Sequence, residues 1–96
     1  MAGRPPKTGY FLNRAIRQLA LVGRNVRLPA AVGVWLPVAD DEHPPWRVAE
    51  MLAATFPDLD APALPFVALL ADADVMEFEN ELRGRGQLLP DLPDPR

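Results

Sequence analysis

Tyr10-Phe11-Leu12-Asn13-Arg14-Ala15-Ile16-Arg17-Gln18-Leu19-Ala20-Leu21-Val22 is the stretch whose reading decides the fold of this 96-residue chain. Its apolar positions, Phe11 or Leu12, Ala15, Ile16, Leu19 and Val22, recur at the spacing of an amphipathic helix, with Arg14, Arg17, Gln18 and Arg24 on the other side. Thr8 or Gly9 can open such a helix, Gly23 supplies a stop, and Arg24 suits the negative end of a helix dipole. The spacing predicts a helix over 10–22 and tilts the whole chain towards a mainly α class.

Further along, the period changes. Val26, Leu28, Val32, Val34, Leu36 and Val38 stand at two-residue spacing, and Pro29 separates the runs 25–28 and 31–38. A short hairpin is the simplest reading, with Pro37 confining its second strand to an edge or ending it. Such a hairpin is marginal alone and needs a helix behind it or a strand from elsewhere; an extended segment paired with a partner is the alternative.

Asp40–His43 reads as an acidic loop in which Asp41, Glu42 or His43 caps a second helix. Pro44 and Pro45 fit its first turn, Trp46, Ala49, Leu52, Ala53 and Phe56 form one face, and Pro57 ends it. Asp60 can cap a third, short helix with Pro62 in its first turn, or that helix begins at Pro65 and runs to Leu70 or Ala71. Asp74 and Glu77 have capping-box spacing for a fourth helix through Arg83, with Val75, Phe78 and Leu82 inward and Glu79 and Arg83 as an i,i+4 pair. The expected fold class is mainly α: a small helical domain of about four short helices with a short β-hairpin. Residues 1–9 read as an extended basic arm, 10–89 as the single helical domain with its hairpin near 25–38, and 90–96 as a Pro-rich tail.

The charges are sorted along the chain. Arg4, Lys7, Arg14, Arg17, Arg24 and Arg27 are the only charged residues before position 40, so residues 1–39 carry a formal +6. All thirteen carboxylates follow, against four arginines, so residues 40–96 carry a formal −9. Such asymmetry bears on partners rather than fold. The six basic residues can contact phosphates or an acidic protein surface, and the two halves can also pair with each other. On a helix, positions 14, 17 and 24 fall near one stripe.

The chain has no cysteine and no serine, one histidine (His43), one lysine and two threonines (Thr8 and Thr55). Disulfides, thiolate metal sites and the usual Ser or Cys nucleophiles are thereby absent, and only Thr8 beside Lys7, and Thr55, remain as candidates. No catalytic residue, metal site or cofactor is expected. Asp72, Asp74, Glu77, Glu79 and Glu81 lack the central glycine and the terminal bidentate Glu of a calcium loop, and read as a solvated helix face. No apolar run reaches membrane-spanning length, and Met1–Lys7 is not followed by an uninterrupted apolar stretch, so neither a membrane partner nor a signal peptide is expected. A cytoplasmic or virion-associated location follows as an expectation.

Three stretches carry resemblances. Gly3-Arg4-Pro5 resembles the short core of AT-hook arms, and Gly3–Lys7 is similar to that kind of minor-groove peptide, although Ala2 stands where such arms carry a basic residue. The resemblance implies an extended arginine in a narrow A·T groove. The start Gly3-Arg4-Pro5-Pro6-Lys7 is also similar to segments that precede helical domains of phage packaging proteins. Val48–Leu89, with its helix, connecting segment and Val75, Phe78, Leu82, Gly86, Leu88 and Leu89, resembles the helical half of PqqD-like domains. These are small winged-helix proteins that bind leader peptides by strand addition. The resemblance implies a preceding three-stranded sheet, which the spacing does not supply.

Of the two tryptophans, Trp46 reads as core, while Trp35, with Val34 and Leu36 on a short edge strand, reads as a protein interface. The functional expectation is a small non-enzymatic adaptor or structural subunit, bound to protein partners or further copies of itself within a larger, phage-like or nucleoprotein assembly. One alternative is a DNA-associated accessory protein contacting nucleic acid through residues 1–27. The other is the peptide-recognition domain that the PqqD-like resemblance implies. No small-molecule substrate is expected.

Overall fold

The stretch over 10–22 folds as two strands, not as a helix. A computed structural model describes residues 8–85; the arm residues Arg4 and Lys7 and the Pro-rich tail lie outside the described residues. Strand β1 (Gly9–Asn13) pairs antiparallel with β2 (Gln18–Val22), in a register running from Gly9↔Val22 to Asn13↔Gln18. Asn13 shapes the turn between them. Its Oδ1 accepts the N–H groups of Ala15 and Ile16 at 3.0 and 3.3 Å, and Arg17 takes a left-handed φ of 53° that completes the reversal.

Strand β3 (Trp35–Ala39) lies antiparallel to β1 on its other side, with a bulge between the Tyr10↔Ala39 and Phe11↔Pro37 pairs. Helix α1 (Pro45–Thr55) and a short 3-10 turn (Ala61–Ala63) lead to strand β4 (Phe66–Leu69), which lies parallel to β2. Helix α2 (Asp72–Gly84) follows. The strand order is β3-β1-β2-β4.

The mainly helical expectation is therefore corrected: this is a mixed α/β domain with a four-stranded sheet and two helices. Both sheet faces are covered. Tyr10, Leu12 and Leu19 pack with Val48 and Leu52 of α1 and with Leu59, Ala61 and Leu64. Phe11, Ala20, Val22 and Leu69 pack on the other face with Val75, Phe78 and Leu82 of α2 and with Ala31. A hairpin buried on both faces loses the polar alternation of a half-exposed strand, and its two apolar runs then mimic helical spacing. Each Leu buried as fully as Leu12, Leu69 or Leu82 stabilises the fold by about 2 kcal/mol.

Other expectations shift with this one. The hairpin near 25–38 is not formed; only the end of its second run, from Trp35 on, becomes a strand, paired with β1. Residues 23–34 instead carry the chain back across the α2 face, where Val26 and Leu28 pack on the core. The expected third helix is reduced to the 3-10 turn, and Phe66–Leu69 extends as β4 because four apolar residues after Pro65 find a buried ladder on β2. The second and fourth helices form. Helix α2 begins at Asp72 with Ala71 at its N-cap, three residues before the capping-box reading, and Asp74 instead accepts the Leu70 N–H at 3.3 Å. Glu79 holds Arg27 at 2.9 Å and the Ala30 N–H at 3.1 Å, tying the 23–34 crossover to α2.

Asn13 and Gln18 are buried and directly opposite each other. Asn13 Nδ2 donates to the Val32 carbonyl at 2.9 Å; Gln18 Nε2 donates to the Pro65 carbonyl at 2.8 Å. Gly33 is required beside them: it has φ of 91°, and a Cβ there would stand 2.6 Å from Asn13 Oδ1 and 2.5 Å from the Ala15 Cβ. Replacing Asn13 with Ala is expected to cost about 2–3 kcal/mol of unfolding free energy, because it orphans backbone groups in the turn and the crossover. Urea unfolding followed by circular dichroism measures this. A loss below about 0.5 kcal/mol, the range of ordinary surface substitutions, would remove Asn13 from this role.

Candidate functional site

The outer edge of β3 can be worked out by alternation from the other side of the sheet. The Leu19 N–H bonds the Pro65 carbonyl at 3.0 Å, so the backbone of Leu19 faces β4 and that of Ala20 faces β1. The Phe11↔Ala20 pair then turns Tyr10 and Leu12 towards β3, and the Leu12↔Leu36 pair turns Leu36 inward. Trp35 and Pro37 are left facing outward. The missing N–H of Pro37 therefore falls on the solvent side, where no ladder bond is lost. The bulge beside it further breaks the edge.

Next to this edge lies an apolar groove of about 360 Å³, lined by Leu36, Pro37, Val38, Met51, Leu52, Thr55 and Phe56. It exists because α1 buries Val48 and Leu52 and overhangs β3 with its next stripe, Met51 and Thr55. Of the three residues expected at an interface, Val34 is 69% exposed and Leu36 is 38% exposed at the groove. Trp35 is half-buried: its indole packs against the α2-side core and its Nε1 donates to the Pro29 carbonyl at 3.0 Å. Trp46 reverses its expected place, being 64% exposed. The buried positions Val48 and Leu52 set the rotation of α1, which puts Trp46, Ala49 and Ala53 on the outward stripe.

The loop at the far end of β3 is held by Asp40 and Tyr10. Asp40 Oδ1 accepts the Glu42 N–H at 3.0 Å and lies 2.9 Å from His43 Nδ1, while the Tyr10 hydroxyl donates to the His43 carbonyl at 2.7 Å. The backbone bond from Glu42, with the contact to His43, holds the Asp40 carboxyl below the usual range. Burial pushes the Tyr10 phenol above its ordinary value, and the Asp41 carboxylate adds to this.

Among the described residues, Arg14, Arg17, Arg24 and Arg27 are not gathered on one stripe. Arg14 and Arg17 sit in the β1–β2 turn, whereas Arg24 follows the opposite end of β2, about 20 Å away along extended chain. Arg14 pairs with Asp58 at 2.8 Å and stacks over the Phe56 ring, with its guanidinium carbon 4.8 Å from the ring centre. Arg27 pairs with Glu79. Both therefore join the basic part of the chain to the acidic part. Arg17 and Arg24 make no ion pair among the described residues.

Among the described residues no group of three His, Cys, Asp or Glu side chains converges as a metal site. No described helix is long and apolar enough to cross a membrane. Comparison with family models, with curated proteins and with solved structures returns no match for this chain. The sequence reading missed the contribution of Met51, Thr55 and Phe56 to the groove. The signal was available in the 48, 52, 56 spacing, which leaves 51 and 55 on an adjoining stripe.

Because its folded value is lowered, Asp40 stabilises the loop above the ordinary Asp range, and this contribution disappears as pH falls through the lowered value. A carboxyl-carbon NMR titration should give Asp40 a midpoint below that of an unfolded peptide spanning residues 37–46. An equal or higher midpoint would remove its role in holding the loop.

Proposed function

We propose that this chain is a small non-enzymatic adaptor or structural subunit that binds another protein through the groove between β3 and α1. The observation that carries the reading is the groove itself: an apolar concavity lined on the β3 side by the exposed Leu36, two residues along the chain from the exposed Val34. Apolar side chains of a partner would fill it, with aromatic or aliphatic anchors giving most of the affinity. The outward backbone of β3 offers the Trp35 N–H but none at Pro37, so side-chain insertion suits this edge better than a continuous added strand.

The DNA-associated reading loses support from the scattered arginines and from the pairing of Arg14 and Arg27 with carboxylates. For the PqqD-like reading, strands β1, β2 and β3 do precede α1, as that resemblance implies. Against it, the segment after α1 returns to the sheet as β4 rather than staying helical, and Pro37 interrupts the edge.

Val34→Asp combined with Thr55→Arg changes two exposed positions and is expected to leave the unfolding midpoint within a degree or two. The same pair should weaken capture of the protein's cellular partner by about tenfold or more, measured at high salt with tagged protein and quantitative mass spectrometry. Unchanged capture would move the interface elsewhere. A salt-sensitive complex with an A·T-rich duplex, lost on Arg17→Ala with Arg24→Ala, would replace the adaptor reading with the DNA-associated one.

A further inference from the structure

The two edges of the sheet are treated differently. β3 carries a proline on its outward side and a bulge, both common guards against pairing with another strand. β4, Phe66-Val67-Ala68-Leu69, carries neither a proline, a bulge nor a charge within the strand. The carbonyls of Pro65 and Leu69 accept the N–H groups of Leu19 in β2 and of Gly23 just beyond it, at 3.0 and 2.8 Å, so residues 65, 67 and 69 face inward. Phe66 and Ala68 therefore turn both their N–H and their C=O away from the sheet. This edge presents a complete set of strand-pairing groups.

What flanks the edge selects an occupant. On one face, a groove of about 170 Å³ runs between β4 and α2, lined by Val67, Leu69 and Phe78 and by the carboxylates of Asp74, Glu77 and Glu81. These three stand at i, i+3 and i+7 on α2, one face of a helix spanning about 10 Å. Asp74 bonds the Leu70 N–H and Glu81 holds Arg85 at 3.0 Å, while Glu77 makes no ion pair among the described residues. On the other face the edge is apolar: Phe66 is 42% exposed and its ring lies 6.0 Å from that of Tyr10.

We propose that the β4 edge binds an extended segment of another protein in which Arg or Lys alternates with apolar residues. Added as a fifth strand, such a segment exchanges main-chain hydrogen bonds with Phe66 and Ala68. Side chains of a strand alternate between faces with a repeat of about 7 Å, so two basic residues two apart match the carboxylate row while the intervening apolar residues lie beside Phe66. A second copy pairing β4 with β4 would bring two carboxylate rows together, which like-charge repulsion opposes. This surface is separate from the β3–α1 groove and does not depend on it.

The test uses the full chain and synthetic peptides, with binding measured by fluorescence anisotropy. The probe is a labelled hexapeptide alternating Arg and Val. Its controls are the Glu–Val counterpart, a block-ordered peptide of the same composition, and the alternating peptide with every second backbone amide methylated. The alternating Arg–Val peptide should bind at least tenfold tighter than each control. Glu77→Lys should weaken it about tenfold. Ala68→Pro removes an outward N–H that the fold does not use, and should also weaken it about tenfold. Circular dichroism checks that both variants stay folded; if Ala68→Pro does not, the methylated peptide carries the same question. Equal binding of the block-ordered or methylated peptide would overturn the proposal in favour of simple charge attraction. Binding unchanged by Glu77→Lys would overturn it as well. A stable dimer that Glu77→Lys or Ala68→Pro converts to monomer would assign the edge to a second copy instead.

Discussion

Two buried side-chain amides hold this sheet in register. Asn13 and Gln18 face each other at the closing pair of the hairpin, and each reaches beyond it. Asn13 shapes the turn and fastens the 23–34 crossover through Val32, which sets where β3 begins. Gln18 fastens Pro65, which sets where β4 begins. Buried amides without partners would be costly, so a shift of either outer strand by one residue strands a donor as well as turning its apolar side chains to the wrong face. The strand order β3-β1-β2-β4 is thus specified at one end of the sheet by polar contacts and along its length by the apolar ones.

How much of this could be read from the sequence differs by element. Helix α1 was legible because Pro44 and Pro45 fix its start and Pro57 its end; α2 was legible because Val75, Phe78 and Leu82 keep helical spacing beside a polar face. The hairpin was not legible. With both faces buried, Tyr10–Leu12 and Leu19–Val22 have no alternation to show, and Ala15 and Ile16 of the turn fill the gap in a helical pattern. The signal that β1 and β2 did leave was Asn13, a residue that favours turns, between two short apolar runs. β4 was hidden for a similar reason, being four residues long and paired with β2 across more than forty positions of sequence. The groove was half legible: Leu36, which lines it, was expected at an interface, but the α1 wall depended on a helix rotation that Trp46 misdirected.

The charge asymmetry has a structural counterpart. Arg14 with Asp58 and Arg27 with Glu79 are contacts between residues far apart in sequence, and both fasten loops to helical or turn segments on the sheet's periphery. Each is largely exposed on at least one side, so its energetic worth is small, of the order of 1 kcal/mol or less. Their effect is to remove two arginines from any continuous basic surface. The carboxylates on α2 are less fully matched, which leaves the acidic character of the chain expressed along the β4 side.

The parallel pairing of β2 with β4 also orders events during synthesis. Strand β2 is complete at Val22, yet its second neighbour emerges only with Phe66–Leu69. Until then Gln18–Val22 is an apolar strand with one open side, and α2, which seals the face beneath, follows later still. Contacts of such long sequence separation form late and slow folding. A nascent chain of this protein therefore spends the translation of nearly fifty residues with its central strand exposed. That interval, rather than the finished fold, is where association with other unfinished chains or with a chaperone acts.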